Sequence, residues 1–194
     1  MTIAYLFPAL KVQQEIGIFM QRCVYLDRDG VITRTDVRDG KPYAITAFED
    51  LDILDGVADA IGKLKEAGYM MIVVSNQPDV AAGKVSRDVV ETINADLMKK
   101  LGLDEIKTCY DSTAPCYKPK PGMLMEAAED HDVDLEHSYM VGDRWRDIGA
   151  GKAAGCMTIF IDKGYSEQAP DHPDHIVGAL PEAVELILSI GEQA

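Results

Sequence analysis

Cations are scarce in this chain: 19 lysines and arginines stand against 33 aspartates and glutamates, a formal net charge of −14. A surface of that sign repels phosphate backbones at long range, which sets nucleic acid aside as a partner. It leaves room for a local basic pocket that holds a small anion. Long apolar runs are missing too. No stretch approaches the roughly eighteen residues of a membrane span. The opening MTIAYLFPALK has no basic residue before its short apolar run, so it lacks the form of a secretory signal. The expectation is a cytoplasmic protein with no membrane partner. Cysteine is sparse, and Cys23, Cys109, Cys116 and Cys156 are scattered with no Cys-x-x-Cys pair. Reduced thiols in an intracellular protein are the simplest inference. Internal repeats and low-complexity segments are absent. What is there is an ordinary globular balance over 194 residues, 47% hydrophobic and 27% charged, long enough to bury one sizeable core.

Apolar runs recur at Cys23–Leu26, Met70–Ser75, Glu105–Tyr110, Ser138–Val141 and Met157–Ile161. Between them lie amphipathic stretches at Val57–Ala67, Ser86–Leu101, Gly122–His131 and Asp147–Ala154, with a last one at Pro181–Ile190. Ser86 suits a helix N-cap, and Gly68 and Gly155 suit helix ends. Buried strands alternating with helices predict an α/β fold: a Rossmann-like, doubly wound parallel sheet of five to six strands flanked by helices. The stretch DHPDH at 171–175 reads as a turn entering the sixth strand, and its histidines lack metal spacing.

In such sheets ligands bind beyond the carboxyl ends of the strands. The first strand runs into Asp27 and Asp29 (VYLDRDGVIT). The second ends in Ser75 and Asn76, and the loop after the third carries Lys118 and Lys120 (YKPKP). The fourth ends in Asp143, followed by Arg144, Arg146 and Asp147. Acids, a hydroxyl and a lysine thus converge on one edge. Phosphoryl transfer through an aspartyl phosphate wants this set. A carboxylate nucleophile, Asp27, splits hydrolysis into two displacements. Mg²⁺ on Asp27 and Asp143 offsets the repulsion of an incoming phosphate. Ser75 and Lys118 hold the phosphoryl oxygens. Asp29 is placed to protonate the departing oxygen and later to deprotonate water, which requires it to be protonated when substrate arrives.

These residues resemble the haloacid dehalogenase superfamily of phosphatases. DRDGVIT at 27–33, VVSN at 73–76, YKPKP at 117–121 and VGDRWRD at 141–147 look like its four motifs, in order, from about Cys23 to Ile161. The resemblance implies Asp27 as nucleophile and Asp29 as acid/base. It also implies Mg²⁺ bound by Asp27, the main-chain carbonyl of Asp29, and Asp143, with Asp147 behind them. Residues 20–194 would form the phosphatase domain and 1–19 an N-terminal extension. SNQPDVAAGKVS and CYKPKPGMLMEAAED are more narrowly similar to the subgroup of heptose-bisphosphate and histidinol-phosphate phosphatases. That likeness implies Asn76 and Arg144 as substrate contacts and Lys118, not Lys120, as the motif lysine.

Two departures bear on the substrate. The subgroup's zinc loop of three cysteines and a histidine is reduced here to Cys109 and Cys116. Zinc is therefore not expected, since a structural site wants four ligands. Tyr117 stands where heptose phosphatases place an arginine, and a tyrosine cannot make the bidentate charged contact. About 40 residues separate Gly30 from the second strand, too few for an independent cap domain. Loop 34–46 must then shape the pocket. The expected partner is a small phosphorylated metabolite, a sugar phosphate first, for a monomer or small homo-oligomer. Arg146 and Lys120 are expected to be solvated charges outside the site. The rivals are a phospho-accepting receiver-type signalling domain, which offers no equivalent of Asp29, and a phosphate-binding protein without turnover.

Overall fold

Alternation along the first strand decides how the layers form. The computed structural model describes residues 20–191, so the extension expected at 1–19 lies outside the described residues. In β1 (Cys23–Leu26) all four side chains are buried, because each face of the sheet is covered. Val24 and Leu26 enter one core, with Ile61 and Leu64 of α1 (Val57–Glu66). Ile93 and Leu97 of α3 (Arg87–Leu101) and Val184 and Ile187 of α6 (Leu180–Gly191) complete it. Cys23 and Tyr25 point the other way, into a core with Met123 and Leu124 of α4 (Gly122–His131) and Ala150 of α5 (Trp145–Ala154). This is the period-two geometry of a strand. Each large apolar side chain so buried contributes about 1.5–3 kcal/mol.

β1 lies at the centre of a six-stranded parallel sheet with β4 (Met70–Asn76), β5 (Glu105–Cys109), β6 (Tyr139–Gly142), β7 (Met157–Ile161) and β8 (His175–Val177), ordered β5-β4-β1-β6-β7-β8. The chain winds outward from β1 through β4 to β5, then returns to the other side of β1 for β6, β7 and β8. That reversal opens a crevice at the carboxyl end of β1. The expected doubly wound fold without a cap domain is therefore present among the described residues.

Three local features depart from expectation. Loop 34–46 holds an antiparallel hairpin, β2 (Asp36–Arg38) and β3 (Lys41–Tyr43), joined by Asp39 and Gly40 at φ 50° and 73°. Two left-handed residues of Asp-Gly type suit the tight turn between twisted strands. A short helix, α2 (Pro78–Ala81), follows β4. Helix α5 begins at Trp145, two residues before the expected start, because the Asp147 carboxylate reaches back to accept from Arg144 N–H at 2.9 Å and caps the first turn.

The cysteines need a correction. Cys109 and Cys116 form a disulfide, with Cα atoms 5.7 Å apart, while Cys23 and Cys156 are free and buried. Two successive turns, Ala114 N–H to Asp111 O and Tyr117 N–H to Ala114 O, both 3.2 Å, fold the loop until its ends meet. Sequence spacing alone hides that closure. The cysteines consequently offer no argument for a reducing compartment. No helix among the described residues is long and apolar enough to cross a membrane.

Candidate active site

The strand ends place the acids. Asp27 continues the β1–β6 ladder by one residue, donating its N–H to Val141 O at 3.0 Å, and so stands fixed at the crevice with 7% of its surface exposed. The chain then turns at Gly30, φ +96°. A Cβ there would lie 1.8 Å from Asp143 Oδ2, so only glycine lets this turn approach the acid at the end of β6.

Lys118 arrives from the loop between β5 and α4, and it is almost fully buried. Its Nζ donates to Asp27 Oδ1 at 2.8 Å and Val74 O at 2.6 Å, and lies 2.6 Å from Asp147 Oδ1. Three acceptors saturate an ammonium. Asn76 locks the lysine's backbone: its amide donates to Lys118 O and accepts from Lys118 N–H, both at 3.1 Å. Asp143 Oδ2 accepts from Tyr165 OH at 2.9 Å, whereas its buried Oδ1 has no hydrogen-bond partner.

Burial and crowding set the charges. Desolvation pushes Asp27 up to about 6, against the pull of Lys118 and with the help of Asp147 and Asp29. Burial, then Asp27 and Asp147, hold Asp143 well above the ordinary carboxylate range. For Lys118 burial disfavours the charge, but Asp147 and Asp27 outweigh it and raise its pKa. One lysine therefore faces an excess of carboxylates. Oxygen atoms of Asp27, Asp143 and Asp147 lie within 4.8 Å of one another. An all-oxygen donor set with one acceptor unfilled suits a hard divalent cation such as Mg²⁺.

A cavity opens over Asp27 and Asp147, lined also by Asp29, Asn76, Lys118 and Arg144 of the expected residues, while the buried Asp143 stands behind its wall. Ser75 is buried and does not line it; its Oγ accepts from Gln77 Nε2 at 2.9 Å. Asn76 and Arg144 reach the wall already engaged. The Arg144 guanidinium forks onto Glu167, Nε to Oε1 at 2.9 Å and Nη2 to Oε2. Thr35, Pro42, Tyr43 and Ala44 from the hairpin region, with Tyr117, form the rest of the rim. Arg146 corrects an expectation: it lines the cavity and lies 4.7 Å over the Trp145 ring, because the early start of α5 puts it on that wall. Lys120 stays outside, donating to Thr113 O at 2.7 Å. Sequence reasoning passed over Arg28, Gln77, Tyr165 and Glu167. Tyr165 and Glu167 meet their partners 22 and 23 residues away, which no local spacing signals. Gln77 followed the second motif directly and was within reach.

Comparison with known proteins agrees with this geometry. A family model described as "HAD-hyrolase-like" matches residues 115–183. The D-glycero-D-manno-heptose-1,7-bisphosphate 7-phosphatase of Thermosynechococcus vestitus is 34% identical over 190 residues, covering 84% of this chain and 94% of its own. The chain belongs to the haloacid dehalogenase-like phosphatases. It is thus a phosphoric monoester hydrolase, and the signalling and non-catalytic rivals fall away. The D-glycero-beta-D-manno-heptose-1,7-bisphosphate 7-phosphatase of Escherichia coli K12 is 32% identical over 184 residues, covering 84% of this chain and 92% of its own. Among solved structures, the D,D-heptose 1,7-bisphosphate phosphatase from B. bronchiseptica, complexed with magnesium and phosphate, superposes with a TM-score of 0.76. It is 26% identical, covering 88% of this chain and 99% of its own.

Proposed function

We propose that this phosphatase is Mg²⁺-dependent and removes a phosphoryl group from a small sugar phosphate, a heptose bisphosphate first, by way of an aspartyl phosphate on Asp27. The observation that carries the reading is the buried cluster of Asp27, Lys118, Asp147 and Asp143 at the sheet's switch point, with Asp143 Oδ1 left unpaired.

In the first displacement an Asp27 carboxylate oxygen forms a bond to phosphorus as the ester P–O bond breaks. The departing oxygen takes a proton from Asp29. In the second, Asp29 takes a proton from water as that oxygen attacks phosphorus, and the Asp27–phosphorus bond breaks to give inorganic phosphate. Lys118 balances charge on the phosphoryl oxygens throughout, whereas Ser75, buried behind the wall, acts on them only through Gln77, whose amide it holds. Held by Asp27, Asp143 and the Asp29 carbonyl, Mg²⁺ would neutralise the repulsion between phosphate and carboxylates. Asn76 and Arg144, on the cavity wall, contact the sugar or a second anionic group.

A second reading, a monophosphate such as histidinol phosphate, has specific support. Tyr117 supplies no charge at the rim, and Glu167 already neutralises Arg144. The test is phosphate release with Mg²⁺ from p-nitrophenyl phosphate, heptose 1,7-bisphosphate, histidinol phosphate and other sugar phosphates. Asp27→Asn should abolish release from every one while the fold persists. Wild-type rates in that variant would displace Asp27 as nucleophile.

A further inference from the structure

We infer that Arg28 is a positioning residue: buried between the two motif aspartates, it braces the Asp29 carboxyl so that one oxygen faces the departing group. This rests on the proposed role of Asp29 and adds the residue that aims it. Arg28 is fully buried, an unusual place for a guanidinium, and does not line the cavity, so it touches no substrate. Its fork meets Asp29 side-on, Nε to Oδ1 at 3.2 Å and Nη2 to Oδ2 at 3.0 Å. Two parallel bonds fix the plane of the carboxyl as well as its place.

The brace is itself anchored. Arg28 Nη1 donates to Asn94 Oδ1 at 3.0 Å, and Asn94 Nδ2 donates to Thr108 Oγ1 at 3.0 Å, tying the guanidinium to α3 and β5. From the other side Gln77 Nε2 donates to Asp29 Oδ2 at 2.7 Å and to Ser75 Oγ at 2.9 Å. Oδ2 is thereby filled. Oδ1 is not, because its second donor, Thr33 Oγ1 at 3.3 Å, has an equally distant alternative in Arg28 O. A hydroxyl has one hydrogen and serves one of them at a time. When it serves the carbonyl, Oδ1 holds an open position for the transferred proton. Oδ1 is therefore the more loosely held of the two oxygens and the one free to exchange a proton.

The test uses leaving groups that need the proton to different degrees. p-Nitrophenolate departs without one, whereas an alkoxide does not. Arg28→Met should lower kcat/KM, which reports the first displacement alone, by about 10² for the best alkyl phosphate and by about tenfold less for p-nitrophenyl phosphate, as loss of acid catalysis requires. Asp29→Asn should show the same split, and the double variant should lose nothing further in the ratio. Equal losses on both substrates, or independent losses in the double variant, would overturn the inference. Should Arg28→Met fail to fold, as judged by circular dichroism, Asn94→Leu and Gln77→Leu loosen the brace from either side while keeping the guanidinium. Each must then produce a split in the same direction, and equal losses count against the inference. Wild-type protein releasing no phosphate from any ester takes the functional reading down with it. An active wild type, an inert Asp27→Asn and no split sink the role of Arg28 alone.

Discussion

Asp27, Lys118 and Asp147 meet at the floor of the cavity on backbone held by strand ends and a capped helix, all three nearly withdrawn from solvent. Tyr43, Tyr117 and Arg146 stand around its mouth on a hairpin, a loop and a helix surface. The floor is tightly specified because buried Lys118 meets both Asp27 and Asp147 there. The rim is loosely specified because its residues reach water. On the proposed function, that difference assigns chemistry to the floor and choice of substrate to the mouth.

The largest effect should come from breaking the floor. Lys118→Ala leaves Asp27 and Asp147 buried without their counter-charge, which costs about 3–5 kcal/mol when a buried pair loses one partner. Urea unfolding of the metal-free protein should show that loss, and phosphate release should fall to background. A variant as stable and active as wild type would show that the floor is not electrostatically tight.

Acid should act on the floor next. Burial raises both Asp27, from 3.8 to about 6, and Asp143. A carboxyl raised on folding contributes stability that is fully present below its unfolded pKa and lost as pH rises through the folded one. In metal-free protein this contribution should therefore fade between about pH 4 and 6. Asp143→Asn should flatten the slope measured by thermal melts. Mg²⁺ should raise the melting temperature more at pH 7.5 than at pH 5, since protons and metal compete for these oxygens. An equal metal shift at both values would contradict the cluster as the site.

Rim changes should be smaller and substrate-selective. Glu167→Gln frees Arg144, and a charge-assisted hydrogen bond is worth about 1.5–3 kcal/mol. KM for a bisphosphate should fall about tenfold while KM for a monophosphate moves little. Uniform changes would mean that Arg144 does not read a second anion. Tyr43→Ala should alter stability by no more than about 0.5 kcal/mol, the residue lying at the surface with 41% of its area exposed, yet raise KM for sugar phosphates several-fold. An unchanged KM would remove the hairpin from substrate recognition.

The floor was also the more legible region. Continuous apolar strands punctuated by Asp27, Ser75 and Asp143 report a buried parallel sheet and its functional edge, because both signals are local in sequence. Arg28 was overlooked because arginines are seldom buried, and nothing within one residue reveals a partner such as Asn94, 66 positions away. Glu167 and Tyr165 depend likewise on the return of the chain after β7. The hairpin was readable from Asp39-Gly40, but its strands are three residues each and too exposed to show an alternating pattern. The Cys109–Cys116 bond required the turns between them, which spacing does not encode.

The central claim concerns the atom that carries the phosphoryl group. Quenching the enzyme during turnover with borohydride, which reduces an acyl phosphate to an alcohol, and mapping the peptide by mass spectrometry tests it most directly. Substrate-dependent conversion of Asp27 to homoserine is the expected result. Reduction at Asp29 or Asp143 instead, or at no carboxylate while phosphate is being released, would contradict it.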